Sequence, residues 1–166
     1  MSAVSHDSET PAHGQQVITA CAFIHHDFDG VNKIFLAKRA DTKKFMPGIY
    51  ELLGGHIDFD ENVVDGLARE VMEETGMNIS IGDVFWEFTY SNWVKGSHSI
   101  EVVYFAKFTD ALEQIKLHPD DHSDYKWVAS HEVVDVMKIG RDDGDSEIQA
   151  VKRGFELLAG GALNFG

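Results

Sequence analysis

The chain has 166 residues, of which 43% are hydrophobic and 25% charged, and a formal net charge of −14 at neutral pH. That length and composition suit one compact domain with a real core and exclude a disordered or fibrous chain. So acidic a balance also argues against a protein that grips nucleic-acid backbone through basic stripes, although a phosphate substrate stays open because a bound cation inverts the local field. Cys21 is the only cysteine, so no intramolecular disulfide can form and a reducing compartment is expected. No apolar run approaches the roughly 20 residues that span a bilayer. The opening MSAVSHDSET has neither the basic start nor the apolar core of a secretory signal. A cytoplasmic domain without membrane contact is the expectation.

Residues 1–16 are polar and predict a mobile N-terminal arm. Residues 17–24 (VITACAFI) read as a buried strand, and HHDFDG supplies a turn, with Asp29-Gly30 its strongest signal. Residues 33–38 (KIFLAK) form the second strand of the implied hairpin. A proline-containing loop, RADTKKFMPG, follows and brings Arg39, Lys43 and Lys44 together beside Lys38. Residues 49–53 (IYELL) predict a short strand running into Gly54-Gly55, where two glycines permit a sharp turn or a close approach. A helix is expected over residues 62–75, stopped by Gly76 in the left-handed position. Residues 78–90 predict two strand pieces broken near Gly82-Asp83, and residues 99–108 (SIEVVYFAKF) a strong strand. Residues 109–123 read as acidic and irregular, residues 124–129 as a short strand, and residues 131–137 as a brief helical turn. Ile148, Val151, Phe155 and Leu158 recur at helical spacing, so residues 145–158 predict a second long helix. Residues 17–160 thus form a single domain with a sheet packed between helices, and residues 161–166 a loose tail.

The stretch GGHIDFDENVVDGLAREVMEETGM, residues 54–77, carries the chemistry. On a helix, Glu70, Glu73 and Glu74 stand at i, i+3 and i+4, so their carboxylates share one face, opposite Val64, Leu67, Ala68, Val71 and Thr75. Like charges at that spacing repel, and the helix gains nothing from stacking them. Two readings remain open on this ground: a solvated acidic face, or a site for a hard divalent cation such as Mg²⁺ or Mn²⁺.

Gly55, five residues, Glu61, seven residues, then Arg69-Glu70-Val71-Met72-Glu73-Glu74-Thr75-Gly76-Met77 resembles the Nudix box, G-x5-E-x7-R-E-U-x-E-E-x-G-U with U a bulky aliphatic residue. Every defined position is met. The resemblance implies an α/β fold, an α/β/α sandwich around a central mixed β-sheet, and a Mg²⁺-dependent pyrophosphohydrolase (Mn²⁺ a possible substitute) acting on a small nucleotide. It implies Glu73 and Glu74 as principal metal ligands, and Glu70 as a further ligand or as the base that activates water. By the same resemblance Arg69 orients these carboxylates, Glu61 is an outer ligand acting directly or through water, and the carbonyl of Gly54 completes the site. The chain has Tyr50 and Leu53 where many relatives carry Trp and Pro, which bears on substrate class rather than on chemistry.

Outside the box, Arg39, Lys44 and their basic neighbours are candidates to clamp a polyphosphate, against an ordinary solvated loop. His56 is a candidate phosphate contact. Trp86 and Tyr90, in the aromatic run from Phe85 to Trp93, are candidates to stack on a nucleobase, against core packing. Glu101, Asp120, Asp121 and Asp124 are candidates for an additional ligand or base. His25, His26 and His122 lack metal-ligand spacing with one another or with Cys21. The expected substrate is a nucleoside triphosphate, intact or damaged, cleaved to monophosphate and pyrophosphate; ADP-ribose, nucleotide sugars and dinucleoside polyphosphates are rivals. A non-catalytic nucleotide sensor is the competing class. No nucleic-acid partner is expected, a capped-RNA hydrolase being disfavoured for want of a long basic surface, and a homodimer is a common outcome for small enzymes.

Overall fold

The computed structural model describes residues 10–163. Its first strand, β1 (Gln16–Phe28), is the centre of the molecule. Residues 20–24 are buried on both faces, which is why they read as one unbroken apolar run. Asp29 (φ 53) and Gly30 (φ 89) make the two-residue turn into β2 (Val31–Arg39), the left-handed pair such a hairpin needs. The remaining strands are β3 (Tyr50–Glu51), β4 (Leu53–His56), β5 (Ile79–Asn92), β6 (Ser97–Phe108) and β7 (His122–Ala129). The sheet runs β3-β2-β1-β6-β5, with β4 also paired to β1 and β7 to β2. It is mixed, because β1 and β6 run parallel while β1 is antiparallel to β2 and β4.

Alternation along β1 builds a core on each face. Ala20, Ala22 and Ile24 meet Leu67 and Val71 of helix α1 (Val63–Thr75). Cys21 and Phe23 face the other way, against Met137 of the short α2 (Val133–Met137) and Ile148, Val151 and Phe155 of α3 (Ser146–Leu158). The expected α/β/α sandwich is therefore the observed one. Gly154 lets α3 approach closely: a Cβ there would stand 2.5 Å from the Phe23 ring.

Four expectations change. The single strand over residues 49–53 is two, because Leu52 turns its N–H away from the sheet to Oε1 of Glu147 (3.1 Å). Gly54-Gly55 then lie inside β4 rather than in a turn. The break expected at Gly82-Asp83 is absorbed within one continuous β5, whose register on β6 shifts between Ile81 and Val84 and again between Val84 and Trp86. Of the expected arm, residues 1–9 lie outside the described residues. From there the chain docks: Ala12 N donates to Lys95 O (2.8 Å), Gly14 N donates to Gly96 O (2.9 Å), and Gln16 already belongs to β1. Before β7 begins at His122, residues 109–121 contain only a 3-10 turn (Leu112–Gln114), yet their backbone closes the end of α1, with Lys116 N donating to Thr75 O (3.0 Å) and His118 N to Glu74 O (2.9 Å). Among the described residues no helix is long and apolar enough to cross a membrane.

Gly154→Ala tests the α3 contact. Phe23 is fully buried and hemmed in by Phe85, Phe105 and Phe155 at centroid distances of 5.7, 5.4 and 5.2 Å, so it cannot retreat. Overpacking of about 1–3 kcal/mol outweighs the gain of about 1 kcal/mol in helix propensity. Urea unfolding will show a lower midpoint at unchanged slope; a higher midpoint contradicts the packing.

Candidate active site

Helix α1 starts where Asn62 caps it, its side chain accepting from Val64 N (3.0 Å) and Asp65 N (3.3 Å), and stops at Gly76 (φ 68). Those limits fix the rotation that presents the glutamates. The side chains of Glu70 and Glu74, one turn apart, are 8% and 9% exposed, whereas that of Glu73 is 51% exposed. The acidic face is thus two buried carboxylates beside one open one, which departs from the solvated-face reading of the spacing. Val64 shifts the opposite way, being exposed while Leu67, Val71 and Thr75 are fully buried.

The double glycine explains how carboxylates fit there. A Cβ at Gly54 would lie 2.0 Å from the carbonyl oxygen of Ala20, and one at Gly55 would lie 2.4 Å from the Glu70 carboxyl. Only a bare backbone lets β4 pass between β1 and the helix. Gly66 on α1 serves likewise, its absent side chain making room for Glu61. In exchange the strand donates a bond, Gly54 N to Glu74 Oε1 (3.0 Å).

Arg69 gathers the rest. Its Nε and Nη2 donate to the two oxygens of Glu61 (2.8 and 2.9 Å), a bidentate pair. Nη1 reaches Glu70 (3.0 Å) and Glu73 (3.3 Å), and Nη2 also donates to the carbonyl of His56 (3.1 Å). On the far side of Glu74 stands His122, 2% exposed, with Nδ1 3.3 Å from Glu74 Oε2 and Nε2 2.9 Å from Glu51 Oε2. Arg39 completes that chain, with Nη1 3.4 Å from Glu51 and Nε donating to Phe45 O (2.9 Å).

Two adjoining cavities open beside these groups. The first, of about 270 Å³, is bordered by Gly54, Gly55, His56, Glu70, Glu73 and Glu74, with Lys43, Asp121 and His122 across from them. The second, of about 370 Å³, has aromatic walls of Phe45, Phe88, Tyr90 and Trp93 and a charged rim from the segment before α3. Arg39, Phe45, Glu51, Tyr90 and Glu101 border both. Of the candidates read outside the box, Arg39, His56, Tyr90, Glu101 and Asp121 meet here. Lys44 and Trp86 border neither cavity; Lys43, joined to Asp121 at 3.1 Å, takes the place at the rim, and Trp86 lies in a shallow depression with Val84, Ile100 and Val102. Phe88 and Trp93, from the same aromatic run as Tyr90, line the second cavity, whereas sequence reasoning missed Glu51, Phe45 and above all His122. Spacing in the chain gives no signal for a contact made across 71 residues.

A family model, the NUDIX domain, matches residues 16–150. The chain belongs to the NUDIX family. It is 29% identical over 130 residues to the m7GpppN-mRNA hydrolase NUDT17 of Danio rerio, a match spanning 71% of this chain and 42% of that protein. It is 26% identical over 129 residues to the nucleoside triphosphatase NudI of Escherichia coli O139:H28 (strain E24377A / ETEC), spanning 72% of this chain and 86% of that one. The chain thus spans less than half the length of the first of these relatives. Among solved structures, the MutT protein from Methanosarcina mazei Go1 superposes with a TM-score of 0.67 at 23% identity, covering 91% of this chain and 97% of the other, which shows the shared fold.

In this Nudix protein the carboxylates outnumber their counter-charge. Burial pushes Glu70 up to about 7, against the pull of Arg69, and raises Glu74 well above the ordinary range, with Glu51 and Glu70 adding to it. Burial also pushes Glu101 up to about 8, and its Oε2 has no hydrogen-bond partner among the described residues. Glu51 goes the other way: burial is outweighed by Arg39, His122 and Arg141, which hold it down at about 2. Among the described residues no three carboxylates or imidazoles converge as a ready-made cage, because Arg69 draws Glu61, Glu70 and Glu73 to itself. The donor chemistry nevertheless suits a hard divalent cation, being all carboxylate oxygen, part-buried, and short of positive charge.

These shifts give stability a pH dependence. A carboxyl whose folded pKa lies above its unfolded value, about 4.3, stabilises the fold fully at low pH and loses that contribution as pH rises through the folded value. Glu70, Glu74 and Glu101 all have this sign, and Glu51, lowered, changes nothing above about pH 5. In chelator the melting temperature should fall between about pH 5.5 and about pH 8.5, with a shallower fall in Glu70→Gln. A fall of equal slope in the variant contradicts the assignment.

Proposed function

We propose that this chain is a divalent-metal-dependent hydrolase, with Mg²⁺ as its usual ion and Mn²⁺ as a substitute, that cleaves a phosphoanhydride of a nucleoside diphosphate derivative. A nucleoside triphosphate, cleaved to monophosphate and pyrophosphate, is its first substrate class. The observation that carries this reading is the junction of two unlike cavities, one bordered by the box carboxylates with Lys43 and Arg39, the other walled by aromatic rings. A nucleotide divides in the same way, into a polyphosphate that needs charge and a base that stacks. The relative named a nucleoside triphosphatase, of which this chain covers 86%, supports the choice of substrate.

Glu70, Glu73 and Glu74 would hold the cation, with Glu61 behind them and the Gly54 carbonyl beside them. When bound, the cation supplies positive charge against the non-bridging oxygens of the diphosphate. Arg69 keeps Glu61, Glu70 and Glu73 in a fixed relation, so little rearrangement remains at the moment of reaction. Glu70, bonded to Arg69 and bordering the first cavity, takes the proton of the attacking water. Lys43 and Arg39 stand on the opposite rim, where charge develops on the departing phosphate. Phe45 and Trp93, with centroids 4.6 Å apart, and Tyr90 give the base an apolar seat.

Two further readings bear on the test. ADP-ribose, nucleotide sugars and dinucleoside polyphosphates contain the same bond, as does the capped mRNA after which the relative NUDT17 is named. A nucleotide sensor without turnover would need the cavities but not the complete set of Glu61, Arg69, Glu70, Glu73 and Glu74.

The purified protein with Mg²⁺ is to be assayed against nucleoside triphosphates, ADP-ribose, nucleotide sugars, dinucleoside polyphosphates and cap analogues, with product identification. Pyrophosphate release from a triphosphate is the expected result. Glu70→Gln should lower kcat by about 10²–10⁴-fold, and Glu74→Gln should remove most turnover, both without loss of thermal stability at neutral pH. Tight binding with no turnover across the panel sinks the enzyme reading in favour of the sensor.

A further inference from the structure

We propose that His122 is a positioning residue for this reaction: anchored to Glu51, its ring holds the Glu74 carboxylate in the attitude the cation site requires. The inference rests on reading Glu74 as part of that site. His122 opens β7 opposite Arg39, at the point where the β2–β7 register shifts between Lys38 and Arg39. Its N–H donates to His118 O (3.0 Å), and His118 N donates to the Glu74 carbonyl (2.9 Å), so one tight turn ties the histidine to the end of α1.

The side chains repeat the connection. Nε2 lies 2.9 Å from Glu51 Oε2, and Glu51 is steadied by Arg39. Nδ1 lies 3.3 Å from Glu74 Oε2, yet it has no aligned hydrogen-bond partner among the described residues. The ring is thus buried, fixed from behind, and aimed at one oxygen of Glu74, while the other oxygen accepts from Gly54 N. Gly54 N thus holds one oxygen while the ring stands against the other, and Glu74 borders the same cavity as Glu70 and Glu73. Partners of this kind, one layer behind a metal's own ligands, set ligand orientation.

A purely structural role, in which His122 merely offsets two buried acids, makes a different prediction, and two substitutions separate the roles. In His122→Asn the amide nitrogen takes the place of Nδ1 and still faces Glu74. In His122→Gln it takes the place of Nε2 and still faces Glu51. Mn²⁺ affinity is to be measured calorimetrically without substrate, beside thermal unfolding in chelator. His122→Ala should bind Mn²⁺ about 10–100-fold more weakly than wild type. Asn should recover most of that loss and Gln little, although both melt at similar temperatures. Should His122→Ala not fold, the Asn and Gln pair carries the test alone. Equal Mn²⁺ affinity in Ala and wild type, or Gln restoring affinity as well as Asn, overturns the proposal. A wild-type protein that binds no Mn²⁺ overturns the metal reading itself, and this inference with it.

Discussion

Arg69 is the interaction on which the candidate site depends, because one guanidinium answers three glutamates that would otherwise repel. Its fork grips Glu61 through two parallel bonds of 2.8 and 2.9 Å and leaves Nη1 for Glu70 and Glu73. A lysine could supply the charge but not the geometry, since an ammonium has no planar pair of donors to match a carboxylate. The remaining Arg69 bond, to the His56 carbonyl, ties the end of β4 to the helix. The strand, the loop carrying Glu61 and the helix carrying the other acids therefore meet at a single side chain.

Arg69 does not reach Glu74, and there the structure uses different means. Glu74 is buried, bonded by Gly54 N on one oxygen and approached by His122 on the other. Burial of carboxylates without full counter-charge raises their pKa, and Glu70, Glu74 and Glu101 all carry that cost. A fold selected for stability alone gains little from three such acids facing one pair of cavities. Glycine makes the arrangement sterically possible: Gly54, Gly55 and Gly66 each stand where a methyl group would collide with backbone or with a site carboxyl. The box is in this sense a packing solution as well as a set of charges.

Much of this was legible in the sequence where the cause is local. The Gly76 stop, the Asp29-Gly30 turn and the buried run of β1 are set by residues a few positions apart, and each stands where it was expected. The sandwich followed from the order of strands and helices. What sequence reading lost was set by distant partners. Leu52 breaks its strand for Glu147, 95 residues away, and β5 runs through Gly82 because β6 pairs with it on both sides of the shift. Those register shifts also disturb the simple alternation along β5, so Tyr90 borders the cavities while Trp86 does not. His122 lacks metal-ligand spacing in the chain, a test that fits a ligand and not a residue acting through one.

The central claim is that the carboxylates of α1, arranged by Arg69, form a divalent-cation site beside an aromatic seat for a base. The most direct measurement is anomalous diffraction from crystals grown with Mn²⁺ and a non-hydrolysable nucleoside triphosphate analogue. The account predicts manganese peaks among Glu70, Glu73 and Glu74, phosphates on the side of Lys43 and Arg39, and the base against Phe45 and Trp93. Manganese bound elsewhere, or a nucleotide lying outside both cavities, would contradict it.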